Sequence, residues 1–125
     1  PAFIEEALRY YSPFSATVRR TTKEIELAGI VIPKGDLVLP LIASANRDEH
    51  VFDQPDSFQI DRTPNPHLAL GFGIHFCLGA HLARLEGKIA VKQLAKRFSS
   101  IRLADEGKTD VGGLGGPKEL MVILD

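Results

Sequence analysis

GFGIHFCLGAHLARLE, residues 71–86, holds the only cysteine of the chain, Cys77, among glycines at 71, 73 and 79. Beyond it Leu78, Leu82, Leu85, Ile89, Leu94 and Phe98 recur at helical spacing, with Arg84, Lys88, Lys92 and Lys96 on the complementary positions. A thiol just before a helix meets unpaired N–H groups and the positive dipole end, which favour the thiolate, the form that ligates metal or attacks carbon. Gly71, Gly73 and Gly79 let the backbone turn sharply and approach a flat or bulky ligand. Tetrahedral zinc is not expected: His67, His75 and His81 lack the ligand spacing that would complete a one-sulfur site. Three readings stay open on residue physics: a ligand to a metal inside a large cofactor, a nucleophile activated by a histidine, and an inert core cysteine. The glycine-rich approach favours the first.

The rest of the chain limits the choice. With 125 residues, 44% hydrophobic and 25% charged, one domain at most is expected. A net charge of −1 provides no bulk attraction for nucleic acid or an anionic membrane. A single cysteine excludes an internal disulfide and fits a reducing compartment, so a cytoplasmic location is expected. No apolar run approaches the roughly 20 residues of a membrane span, and no basic-then-apolar leader opens the chain. Met121 is the only methionine, so residue 1 is not a translational start and the chain is expected to be part of a longer product.

Upstream, PAFIEEALRYYSP places Phe3, Ile4, Ala7, Leu8 and Tyr11 on one helical face, with Pro13 ending the helix after Ser12 and the pattern running back past residue 1. VRRTTKEIEL, Ala28-Gly29 and IVI then predict a hairpin, and DLVLPLI a further strand with Pro40 at an edge or end. Residues 43–52 predict a short helix and 53–71 a long irregular loop carrying Pro55, Pro64 and Pro66. After the long helix come Gly107, the glycine-rich run 112–116, and ELMVILD as a closing strand.

Gly71-x-Gly73-x-His75-x-Cys77-Leu78-Gly79 followed by LARLE resembles the cysteine-ligand loop of the cytochrome P450 family, the haem-thiolate monooxygenases. Other segments match that family in order: Glu6-x-x-Arg9 resembles its Glu-x-x-Arg pair, and Arg62 stands where bacterial members carry the third residue of that structural triad. ANRDEHVF and LGGPKELMVIL resemble further family segments, so the likeness covers essentially the whole chain. Two departures stand out: Leu70, seven residues before the cysteine, replaces a usual phenylalanine, with Phe72 nearby, and His81 replaces a common proline.

The resemblance implies a mainly α fold with small β-sheets, the C-terminal part of a P450 domain spanning residues 1–125. Its expected order is helix, hairpin sheet, meander loop, cysteine-ligand loop, long helix and terminal strands. It implies haem b as cofactor and Cys77 as the axial iron ligand, whose electron-rich sulfur favours O–O cleavage. Gly79 would hydrogen-bond the sulfur through its N–H, and Leu70, Gly71, Phe72 and Gly73 would line the haem. His75 and Arg19 would hold the propionates, with Arg20 a rival and His67 a weaker candidate. Ser15 and Ala16, in FSAT, and Leu114 would face substrate.

The implied parent enzyme inserts one oxygen atom of O2 into a small organic substrate, with electrons from NAD(P)H through a ferredoxin- or flavodoxin-type donor. Arg84, Lys88 and Lys92 would offer that donor a basic stripe. This segment alone is expected to be inactive. The alternatives are a haem-binding or inert remnant and, more remotely, a hydrolase with Cys77 as nucleophile beside His75 or His81.

Overall fold

A computed structural model describes residues 1–104 and 119–125; Leu114 and the glycine-rich run lie outside the described residues. Helix α1 spans Ala2–Tyr10. It stops two residues short of Ser12, because Tyr11 leaves helical geometry at φ −119°, ψ 66°, although its N–H still reaches the Ala7 carbonyl at 2.9 Å.

Among the described residues the β content is three two-stranded antiparallel sheets. Strands β2 (Ile25–Leu27) and β3 (Ile30–Ile32) form the expected hairpin, registered Glu26 against Val31. Both loop residues have positive φ, 51° at Ala28 and 79° at Gly29, the geometry whose twist matches that of the flanking strands. Strand β1 (Arg19–Arg20) pairs with β4 (Leu37–Val38), so DLVLPLI delivers only two residues of strand. Pro40, with no N–H to donate, limits it, while its carbonyl accepts from Thr17 at 3.0 Å. The closing strand is present: β6 (Val122–Leu124) pairs with β5 (Ile101–Leu103).

The expected helix over 43–52 is a single turn, α2 (Ile42–Ala45), followed by hydrogen-bonded turns that end with Phe52 N–H on the Asp48 carbonyl at 2.9 Å. Residues 53–71 contain no helix or strand, as anticipated. Helix α3 (Ala80–Arg97) is the longest element. It meets α1 where Gly87 leaves room for Ile4: a Cβ on Gly87 would sit 3.2 Å from Ile4 Cδ1.

Burial on α1 does not follow its apolar face. Its most enclosed side chains are Glu6 and Arg9, both at 0% exposure, rather than the apolar face, on which Phe3 and Tyr11 stay exposed. The largest fully buried side chains are Arg9, Glu6 and Asn46, while the buried apolar residues are Phe52, Ala69, Leu70 and Ala80. The stripe on α3 is equally open: Leu82, Leu85 and Ile89 are 58%, 53% and 50% exposed. The total accessible surface, 9740 Å², compares with about 6,600 Å² for a compact monomer of this mass. The apolar periodicity is real, but the described residues do not cover it.

Candidate functional site

Cys77 is held by a hairpin-like loop. Its N–H donates to the Leu70 carbonyl at 2.7 Å, and Gly71 N–H to the Leu68 carbonyl at 2.9 Å. Between these bonds the chain turns at Gly71 (φ 77°) and Gly73 (φ 58°) and makes a 3-10 turn over Gly73–His75. Gly71 is required twice over, since a Cβ there would also lie 2.5 Å from the His75 carbonyl oxygen. Gly73 faces open space, so only its backbone conformation favours glycine. The Cys77 carbonyl accepts from Ala80 N–H at 3.2 Å, which starts α3 directly behind the thiol. Gly79 lies against the sulfur: a Cβ there would stand 3.9 Å from Sγ. Cys77 is a free, exposed thiol.

The thiol opens onto a mainly apolar cavity of about 500 Å³. One wall is the loop itself, with Leu70, Gly71, Phe72, His75 and Cys77; the other brings Phe14, Thr17, Arg19, Pro40 and Ile42. Phe14 and Thr17 thus line the cavity, whereas Ser15 and Ala16, singled out from the sequence, do not. Ser15 instead offers its carbonyl to Ala43 N–H at 3.0 Å and joins the two edges of that wall. Arg19 is on the lining and Arg20 is turned away, its Nη1 donating to the Gly35 carbonyl at 2.5 Å. The donor set fits haem: a thiol for iron, apolar walls for a flat macrocycle, and an imidazole and guanidinium for two carboxylates. Among the described residues the histidine-ring hydrogen bonds are those of His67, so neither His75 nor His81 is joined to Cys77 as a base.

Behind the cavity the three residues Glu6, Arg9 and Arg62 come together. Arg9 grips the Glu6 carboxylate through Nε and Nη2, each at 2.8 Å, and Arg62 Nε reaches both carboxylate oxygens at 3.2 Å. Gln59 N–H at 2.8 Å and Asn65 Nδ2 at 3.2 Å complete the shell. Burial pushes the Glu6 carboxyl up, but the Arg9 hydrogen bonds, the Gln59 N–H and Arg62 outweigh it and hold it at about 2. The remaining Arg9 N–H groups bind the carbonyls of Asn46, Pro55 and Ser57 at 2.9, 2.7 and 3.0 Å. Arg62 similarly binds the carbonyls of Asp53, Gln54 and Ser57. Phe52 packs between the guanidiniums, 5.3 Å from Arg9 and 5.9 Å from Arg62. The network therefore ties a loop without regular structure to α1.

Two features of the site escaped the sequence. Asn46 links that network to the cysteine loop, accepting Leu68 N–H at Oδ1 over 2.7 Å while its Nδ2 donates to Ser12. Arg84, read as part of an open basic stripe, is instead paired with Glu5 on α1, Nε at 2.7 Å and Nη2 at 2.8 Å. That pair holds the Glu5 carboxyl below its usual range, Arg84 being the main cause and burial opposing it. A separation of 79 residues leaves no local signal for the contact.

Comparison with known proteins adds a finding. The family model described as Cytochrome P450 matches residues 1–116. The chain is 50% identical over 122 residues to Cytochrome P450 119 of Sulfurisphaera tokodaii, covering 98% of this chain and 33% of that protein. It is 40% identical to the Steroid C26-monooxygenase of Mycolicibacterium smegmatis, over 99% of this chain and 32% of that protein. It also superimposes on the bacillaene polyketide synthase cytochrome P450 PksS of Bacillus subtilis with a TM-score of 0.93 at 43% identity, over 98% of this chain and 33% of that one. The chain thus spans about a third of the length of the relatives it matches. Among the described residues no helix is long and apolar enough to cross a membrane.

Proposed function

This chain belongs to the cytochrome P450 family, which implies haem b as cofactor, and we propose that its residues 1–125 form the haem-ligating side of a larger P450 domain. The observation that carries this reading is Cys77, pinned by its own N–H to Leu70 at the mouth of an apolar cavity that also receives Arg19 and His75.

In this reading Cys77 would supply the thiolate that holds the iron, at the turn from which α3 starts. Gly71 keeps the loop tight, while Leu70 and Phe72 line the sulfur's side of the cavity. Arg19 and His75, both on the cavity lining, would hold the two propionates. Gly73 and Gly79 complete the loop's backbone path. Glu6, Arg9 and Arg62 touch neither cofactor nor substrate; they stiffen the loop on which the site rests. Bound haem supplies oxygen-activating chemistry, by which one atom of O2 enters a small organic substrate with electrons drawn from NAD(P)H through a ferredoxin- or flavodoxin-type donor. Phe14 and Thr17 face that substrate, in place of Ser15 and Ala16. With Arg84 engaged, the donor's basic footing reduces to Lys88 and Lys92. The setting is cytoplasmic, and the segment alone does not turn over substrate.

The test is titration of the full chain with ferric haem, followed by absorbance. One equivalent bound tightly, with affinity lost in Cys77→Ser and Cys77 shielded from alkylation, supports the reading. Haem affinity indifferent to Cys77, with the thiol alkylated at an unchanged rate, overturns it.

A further inference from the structure

Glu5 and Glu6 are neighbours on α1, yet their carboxylates serve different parts of the molecule. Glu6 faces the irregular loop, whereas Glu5 faces the segments on either side of Cys77 in sequence. Downstream, Glu5 takes Arg84 of α3 through two hydrogen bonds of 2.7 and 2.8 Å. Upstream, it meets His67 Nε2 at 3.2 Å, with the His67 side chain 3% exposed. His67 in turn accepts Ala69 N–H at Nδ1 over 3.3 Å. An imidazole that accepts at Nδ1 carries its proton on Nε2 and donates it to Glu5, so a single tautomer satisfies both contacts. One residue beyond Ala69, the Leu70 carbonyl receives the Cys77 N–H. The relay is therefore continuous: Arg84, Glu5, His67, Ala69, Leu70, Cys77.

We infer that Glu5 and His67 are positioning residues for Cys77, holding the segment that receives the cysteine N–H in place against the helix that starts after the sulfur. The inference rests on the reading of Cys77 as iron ligand. Asn46 anchors Leu68 independently, so the loop survives loss of the relay, but the peptide carrying the Leu70 carbonyl loses one of its two fixed neighbours. Arg84 alone does not explain the arrangement: a simple interhelical ion pair needs no buried imidazole on its second oxygen.

Two histidine variants divide the relay. His67→Asn keeps an acceptor for Ala69 N–H and gives up Glu5; His67→Gln keeps a donor for Glu5 and gives up Ala69. Neither disturbs the Arg84 pair, so both bear on the inference even if Glu5→Gln fails to fold. In the full chain, amide hydrogen exchange at Cys77 is expected to speed up about tenfold in His67→Gln and Glu5→Gln, the scale of losing one hydrogen bond's net stabilisation of the closed loop. His67→Asn, which breaks the relay at Glu5 instead of at Ala69, is expected to lose protection as well. With haem added, the fraction showing a red-shifted, thiolate-type ferrous–CO band falls in the same variants. Unchanged Cys77 exchange and an unchanged thiolate-type fraction in His67→Gln and Glu5→Gln overturn the positioning role alone. A chain without substitutions that gives no Cys77-dependent band overturns the reading beneath it.

Discussion

Replacing Glu6 by glutamine removes the anion at the centre of the most buried part of the molecule, and its cost can be worked out. A carboxyl held at about 2 instead of 4.5 contributes about 3 kcal/mol of stability at neutral pH. Glutamine also leaves Arg9, fully buried, facing a neutral amide, and breaking a buried pair costs about 3–5 kcal/mol. The two figures describe the same loss from opposite sides, and they agree. The carboxyl's folded value is lowered, so its contribution is complete above the unfolded value of 4.5 and disappears as pH falls through about 2. At pH 3 about 1.4 kcal/mol remains.

The assay is urea unfolding of the parent chain and Glu6→Gln at pH 7 and pH 3. With a slope of about 2 kcal/mol per molar, the midpoints should differ by about 1.5 M at pH 7 and by less than half of that part at pH 3. Carboxylates shared by both proteins cancel in the difference. A gap that keeps its full size at pH 3, or no gap at pH 7, would refute the claim that Glu6 is ionised and anchored in the folded protein.

Other outcomes follow from the same geometry. Gly71→Ala should abolish haem binding in a titration, because the new Cβ would strike the His75 carbonyl at 2.5 Å, whereas Gly73→Ala, facing open space, should cost only about 1 kcal/mol by thermal melting. Gly87→Ala should be nearly neutral, as helix propensity gained offsets displacement of the Ile4 tip, while Gly87→Leu should drive α1 from α3 and lower the melting temperature. Arg84→Ala should destabilise by no more than about 1 kcal/mol, since the pair is about one-third exposed, and a double-mutant cycle with Glu5→Gln in low and high salt would check it.

Local chemistry made much of this molecule legible. The hairpin is written in Ala28-Gly29 between β-branched runs, and the cysteine loop in glycines whose positions need positive φ. Glu6-x-x-Arg9 shows its pairing because three residues separate neighbours on a helix face. Periodicity places residues on a face but does not report whether that face is buried. The apolar rows of α1 and α3 are present, but Leu82, Leu85 and Tyr11 lie open and the charged pair is innermost. Nothing local distinguishes an apolar stripe that is covered from one that is not. Asn46, Arg84 and His67 were misjudged or passed over for a related reason: their partners lie 22 to 79 residues away, and a polar side chain carries no mark of the loop that will meet it. Phe14 and Thr17, three residues apart in a segment without regular structure, line the cavity in place of Ser15 and Ala16. Backbone hydrogen bonds from Thr17 to Pro40 and from Ala43 to Ser15 hold that segment, so no period in the sequence marks which side chains turn inward.

The most direct measurement is the ferrous–CO difference spectrum of the haem-loaded full chain beside that of Cys77→Ser. A red-shifted, thiolate-type Soret band in the first and its loss in the second is the predicted result. The same band in both proteins, or none in the chain that carries Cys77, would contradict the assignment of this thiol as the iron ligand.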